Sequence, residues 1–180
     1  MIDKIESKEQ LIEEIAEAIQ ERLNEVTSCL DLTTQTVTDV PSQYLDDFFD
    51  NDDDGDDDED DVDDDGDDEE FDPVTGIPLS EIREQLSHDL VVIQAVTSHD
   101  GFEIMRDFAI QENNDNLFRA LDFRHPFRAF RDAVERENLL QKWYHFRDEE
   151  YKQLAIRWLE DNDIDFVDGK VSRIDSQDEI

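Results

Sequence analysis

The chain has 180 residues, room for one domain with two small ones barely possible, and carries 53 acidic against 16 basic residues for a net charge of −37. That balance argues against free nucleic acid or an anionic membrane surface as a main partner and favours cations, basic protein surfaces or simple solubility. The single cysteine, Cys29, allows no internal disulfide, no Cys/His set has zinc spacing, and neither a signal-peptide pattern nor an apolar run of about 18 residues occurs. A soluble cytoplasmic protein without a membrane partner is expected.

Ser7 followed by Gln10 has the spacing of a capping box, in which each side chain reaches the other's backbone N–H. Ile12, Ile15, Ala16, Ile19, Leu23 and Val26 then fall on one helical face while Glu13, Glu14, Glu17 and Glu21 point elsewhere, which predicts a helix over about 8–25. Two β-prone runs, Ser28–Leu32 and Thr36–Val40, flank Thr33-Thr34-Gln35 and read as a hairpin whose turn lacks Gly or Asn. Pro41 ends the second strand.

From Asp46 to Asp72, 20 of 27 residues are Asp or Glu and none is Lys or Arg. Charges about 3.5 Å apart along an extended chain sit well inside a Debye length of about 8 Å, so the run repels itself and is expected to be a disordered insertion. It contributes −20, leaving 33 acids against 16 basic residues elsewhere. Pro73 and Pro78 bracket an irregular connector, a short helical turn follows at Ser80–Leu86, and Leu90–Ile93 reads as a third strand, either covered on both faces or paired centrally.

The remainder reads as helices. Ser98 is the expected N-cap of one carrying Phe102, Met105, Phe108 and Ala109, and Asp115 of a second carrying Leu117, Phe118 and Leu121. Pro126 opens a third with Phe127, Phe130, Ala133 and Val134 inside, and Asn138–Asp161 forms the last, with Leu139, Trp143, Phe146, Leu154 and Trp158 along one side. Beyond Phe166 the polar chain is expected to fray. Six of the eleven phenylalanines crowd between Phe102 and Phe130 and are expected to anchor the core.

The expected fold is therefore α+β, with an N-terminal helix, a small antiparallel sheet (hairpin plus one strand) and a C-terminal helical bundle. Residues 1–45 and 81–166 belong to one domain in this reading, interrupted by an acidic disordered insertion over 46–80 and followed by a flexible tail, 167–180.

The segment Cys29-Leu30-Asp31-Leu32-Thr33-Thr34-Gln35-Thr36-Val37 resembles the "aromatic-Leu-Asp-Leu-x-Thr-Gly-Glu-Val" hairpin of the bacterial Uncharacterised Protein Family 158. Gly101-Phe102-Glu103-Ile104-Met105-Arg106-Asp107-Phe108 is similar to its "Gly-Tyr-x-x-Met-x-x-Phe" segment, and Phe127-Arg128-Ala129-Phe130-Arg131-Asp132 to its "Phe-Arg-x-Phe-Lys/Arg-Asp" helix. Trp143–Phe146, and Trp158-Leu159 followed by Ile164, resemble its closing helix. The likeness covers 11–40 and 87–166, with Gln35-Thr36 standing where Gly-Glu is usual and the Asp-rich insert added. It implies a small α+β fold, no assigned activity and no catalytic residues.

Two windows of the acidic run match the calcium-loop pattern D-x-D-x-D-G: Asp50, Asp52, Asp54 and Asp58 ending at Asp61, and Asp61, Asp63, Asp65 and Glu69 ending at Asp72. Alternating carboxylates can wrap a hard cation, and Gly55 and Gly66 allow the sharp turn. Position twelve, however, is Asp in both where a bidentate Glu is usual, and in so acidic a run such matches arise easily by chance. Phe118–Arg136 has a positive balance, with Arg119, Arg124, Arg128, Arg131 and Arg136 against Asp122, Asp132 and Glu135. Arginines among aromatics can bind nucleic acid, but Arg128–Asp132 and Arg131–Glu135 have i,i+4 spacing and are expected to satisfy each other. The four histidines are scattered without a nucleophile at useful spacing, and Cys29 is expected to be a buried small apolar residue. The reading is thus a non-enzymatic interaction protein whose Asp-rich segment engages a basic protein surface. Its alternatives are a Ca2+-binding module or a nucleic-acid mimic.

Overall fold

The computed structural model describes residues 4–20, 25–45 and 70–174. Its elements are α1 (Lys8–Gln20), β1 (Val26–Asp31), β2 (Thr36–Pro41), α2 (Leu79–Leu86), β3 (Leu90–Val92), α3 (Ser98–Glu112), α4 (Asp115–Leu121), α5 (Pro126–Arg136), α6 (Leu140–Asp161), β4 (Ile164–Val167) and β5 (Lys170–Arg173). The α+β class stands. The chain divides into two compact units, one of Met1–Ile5 with Leu23–Gln94, the other of Glu6–Arg22 with Ala95–Ile180. Within the second unit α1 packs along α6.

In the first unit the sheet order is β2-β1-β3, antiparallel throughout, with Cys29 opposite Thr38 on one side and Val92 on the other. Pro41, which lacks a ladder N–H, ends the edge strand β2. The apolar β3 is the other edge and β1 is central; Leu90, Val91 and Ile93 are nonetheless all buried, so β3 is covered on both faces. Cys29, Val40, Leu45 and Leu90 form the core beneath, with Leu86 and Val92 packed against it.

The turn between β1 and β2 places Gln35 at φ 63°, the left-handed region that glycine tolerates without cost, and its N–H donates to Asp31 O at 2.8 Å. A non-glycine residue there costs about 1–2 kcal/mol. Gln35→Gly is therefore expected to stabilise the protein by about 1 kcal/mol, read as a rise in the urea midpoint at unchanged slope.

In the second unit the starts of α1, α3 and α4 are settled by side chains that reach free N–H groups, whereas α5 and α6 begin without a side-chain cap. Ser7 Oγ accepts from Gln10 N at 3.1 Å, while Gln10 Oε1 accepts from Glu6 N at 2.9 Å, one residue before the expected partner. Thr97 rather than Ser98 caps α3, because Asp100 three residues on completes the reciprocal box: Asp100 N donates to Thr97 Oγ1 at 3.1 Å and Thr97 N to Asp100 Oδ2 at 2.9 Å. Asn114 rather than Asp115 caps α4, accepting from Asn116 N and Leu117 N. Pro126 opens α5 as its spacing predicts.

The core of this unit is where the sequence motifs meet. Phe108 stands edge-on to Trp143 and Phe130, with centroids 5.2 and 6.4 Å away, and Trp143 is edge-on to Phe130 at 5.1 Å. Gly101 completes the join between α3 and α5, since a Cβ there would lie 3.2 Å from the Phe127 ring. Only Phe108 and Phe130 of the six crowded phenylalanines are fully buried, with Phe102 packed against them; Phe118, Phe123 and Phe127 are 37, 63 and 48% exposed, contrary to the core reading.

The tail expected to fray beyond Phe166 instead continues into the β4–β5 hairpin, Phe166 opposite Val171 and Val167 opposite Lys170. Its turn is Asp168-Gly169, with φ of 54° and 80°, the two positive values that suit an Asp-Gly hairpin turn. Buried Ile164 and Val171 secure it, and Lys8 on α1 pairs with Asp165 at 2.8 Å.

Candidate functional site

Of the calcium-window residues, Asp50, Asp52, Asp54, Asp58, Asp61, Asp63, Asp65 and Glu69 lie outside the described residues. Asp72 is described and is buried. Its Oδ1 accepts from Val74 N (3.1 Å), Thr75 N (2.8 Å) and Thr75 Oγ1 (2.8 Å), and its Oδ2 from Gln43 Nε2 (2.7 Å) and Tyr44 OH (3.1 Å). The Thr75 amide, with the Thr75 hydroxyl, Tyr44 and Val74, holds this carboxyl below its ordinary value against the opposing effect of burial. Burial and Asp72 in turn push the Tyr44 phenol up.

Asp72 is thus a clasp: it binds the residues that enter the acidic run to those that leave it. The exit segment is braced further by Asp72 N to Ile77 O and Leu79 N to Glu70 O, both 2.8 Å, and by an isolated bridge between Phe71 and Pro78. Among the described residues no group of three or more His, Cys, Asp or Glu side chains could hold a metal ion.

A second buried carboxylate, Asp31, escaped the sequence reading because its partner is 57 positions away. His88 Nδ1 donates to its Oδ2 at 2.6 Å, and Thr33 N and Thr34 N donate to its Oδ1 at 2.8 and 3.0 Å. Burial works to raise this carboxyl, but the Thr34 amide, His88 and the remaining donors outweigh it and hold the value below the ordinary one. The pair ties the hairpin turn to the segment before β3, which Asp89 N to Thr33 Oγ1 and Leu32 N to Asp89 O reinforce. Cys29 on the same strand is fully buried, its thiol pushed up to about 12 by burial and then by Asp39 and Asp31, so it packs as a small apolar residue.

The second unit carries a groove of about 540 Å³ between α4 and α5. Arg119 on α4, Arg124 in the connection, and Arg128 and Arg136 on α5 line it together with His125, all exposed. Arg128, Asp132 and Arg136 recur every fourth residue and so share one side of α5. Against these four guanidinium groups the groove holds only Asp132 and Glu137. Both Glu137 oxygens are engaged, by Asn116 Nδ2 at 2.8 Å and Asn114 Nδ2 at 3.1 Å, and these bonds hold its carboxyl below the ordinary value.

The ion pairs expected within α5 do not form. Arg136 Nε donates to the Asp132 carbonyl at 3.1 Å, and among the described residues no carboxylate comes within 4 Å of Arg119, Arg124, Arg128 or Arg131. The cations Lys8, Arg106, Lys142, Arg147 and Lys152, by contrast, each have a carboxylate partner. The sequence showed the arginines but not their freedom, which depends on rotamers that i,i+4 spacing does not dictate.

Fold and sites together describe a small acidic α+β protein with a carboxylate clasp beside an Asp-rich run and a groove lined by arginines. The chain belongs to an uncharacterised protein family, UPF0158, whose profile matches residues 42–177. That match begins beyond the β1–β2 hairpin and covers α2 to β5. The UPF0158 protein PA5073 of Pseudomonas aeruginosa is 32% identical over 91 residues, 48% of this chain and 60% of that relative. No solved structure matches. Among the described residues, no helix is long and apolar enough to cross a membrane.

Proposed function

We propose that this protein is a non-enzymatic interaction module whose Asp-rich segment, within residues 46–72, engages a basic protein surface. The observation that supports this reading is the Asp72 clasp: a segment with 20 carboxylates leaves and re-enters the first unit at one point fastened by five hydrogen bonds. A polyanion tethered at a fixed point offers a basic partner a high local charge. Binding of this kind is steered by charge and weakens as salt rises.

The test compares the full chain with a variant lacking residues 46–69, which spares Glu70, Phe71 and the clasp. Capture of lysate proteins at low salt is expected to be lost in the variant and to fade in the full chain as salt is raised. Unchanged capture by the variant would end this reading, and competition of the captured partners by DNA would turn it toward a nucleic-acid mimic. Calorimetric titration of both proteins with calcium, over a magnesium background, addresses the remaining alternative. Saturable heat confined to the full chain would favour a Ca2+ site. Asp72 weighs against it, since both its oxygens already serve protein donors.

A further inference from the structure

We propose that the groove between α4 and α5 is a binding site for a nucleoside polyphosphate, with the arginines on the phosphates and Phe123 under the base. The structure reverses two expectations at this groove. Arginines paired along α5 and phenylalanines buried in the core would have made this segment an ordinary helix surface. Instead Arg119, Arg124 and Arg128 have no carboxylate within 4 Å among the described residues, and Phe123, on the groove, is 63% exposed.

Arginine is the side chain suited to this task. Its planar fork binds phosphate oxygens bidentately and stays charged at any physiological pH. Four guanidinium groups against two carboxylates, one of them already holding Asn114 and Asn116, leave the groove locally positive. Phe123 adds what a purely anionic ligand would not need, an open aromatic face at the same groove. A base stacks on such a face with little regard to its identity.

Size and charge then choose among phosphorylated ligands. The groove measures about 540 Å³, within the range of about 300–1,000 Å³ that small ligands occupy. The net charge of −37 acts against any polyanion, but only over roughly a Debye length of about 8 Å. A single nucleotide stays within the groove and meets the local arginines. A longer strand leaves it and meets the acidic body. Free nucleotide is therefore the favoured source of the phosphate-and-base chemistry, ahead of a nucleic-acid end or an acidic peptide.

The experiment titrates the full chain by calorimetry with ATP in EDTA, inorganic triphosphate, a 5′-phosphorylated tetranucleotide and a glutamate decamer. ATP is expected to bind saturably, the Arg124→Ala/Arg128→Ala variant to bind it at least tenfold more weakly, and Phe123→Ala to lose about tenfold for ATP while leaving triphosphate unchanged. All three side chains are exposed, so the variants should keep the wild-type melting temperature and circular dichroism. Failure of ATP to bind at millimolar concentration, or equal binding to all variants, would overturn the proposal. So would triphosphate binding as tightly as ATP, which would leave a phosphate site without a base. Tighter binding of the tetranucleotide, or arginine-dependent capture of the glutamate decamer in preference to ATP, would assign the groove to a strand or an acidic peptide instead.

Discussion

Phe108→Ala is expected to destabilise the C-terminal unit by about 3–5 kcal/mol, a large part of the stability of a domain this size. Phe108 is fully buried and meets Phe130 from α5, and Trp143 and Phe146 from α6, with centroids 6.4, 5.2 and 5.3 Å away. Removing the ring forfeits its transfer free energy and leaves a cavity that three aromatic neighbours cannot close without leaving their own rotamers. Urea unfolding followed by far-ultraviolet circular dichroism measures the effect. Phe123→Ala is the natural contrast, since deleting a ring that is 63% exposed should move the midpoint little. A loss for Phe108→Ala below about 1 kcal/mol would show that the aromatic cluster is not the keystone of this unit.

Asp31→Asn should cost about 2–3 kcal/mol, in line with hydrogen bonds made to a buried charge, and the cost should depend on pH with a definite sign. The folded carboxyl is held below its ordinary value by Thr34, His88 and Thr33 in spite of burial. A carboxyl depressed in the folded state stabilises fully above the unfolded value, about 3.9, and loses that contribution as pH falls through the lower folded value. The stability gap between wild type and Asp31→Asn should therefore be wide near neutral pH and shrink in acid below about pH 4. Urea midpoints measured for both proteins across this range provide the test. A gap constant with pH would mean that the shape of the side chain, and not its charge, holds the turn. Asp72, Asp100, Glu137 and Asp165 are depressed likewise and should add to acid lability, but they cancel in the comparison.

Helix periodicity located α1 to α6 because each carries an apolar stripe that must be buried, and the hairpin followed from β-prone runs around Thr33-Thr34-Gln35. The motifs at Gly101–Phe108, Phe127–Asp132 and Trp143–Phe146 marked the residues that build the second core, since packing demands particular shapes at particular positions. Cap positions were legible to within one residue. Thr97 prevails over Ser98, and Asn114 over Asp115, because a cap depends on which side chain lies within reach of an N–H two or three residues on. The closing hairpin carried its own signal, Asp168-Gly169, which the polar composition of the tail obscured.

Composition and periodicity alone were enough to establish the α+β class, the acidic run and its charge, and most element positions, because these depend on residues close in sequence. Tertiary structure alone decided the rest. It brought His88 to Asp31 across 57 positions, and Asp72 to Gln43 across 29. It placed α1 against α6, put β1 rather than β3 at the centre of the sheet, and turned Phe118, Phe123 and Phe127 outward beside arginines that, among the described residues, have no carboxylate within 4 Å. Each of these is a competition among distant groups for the same partners and the same buried volume, and only the folded chain settles it.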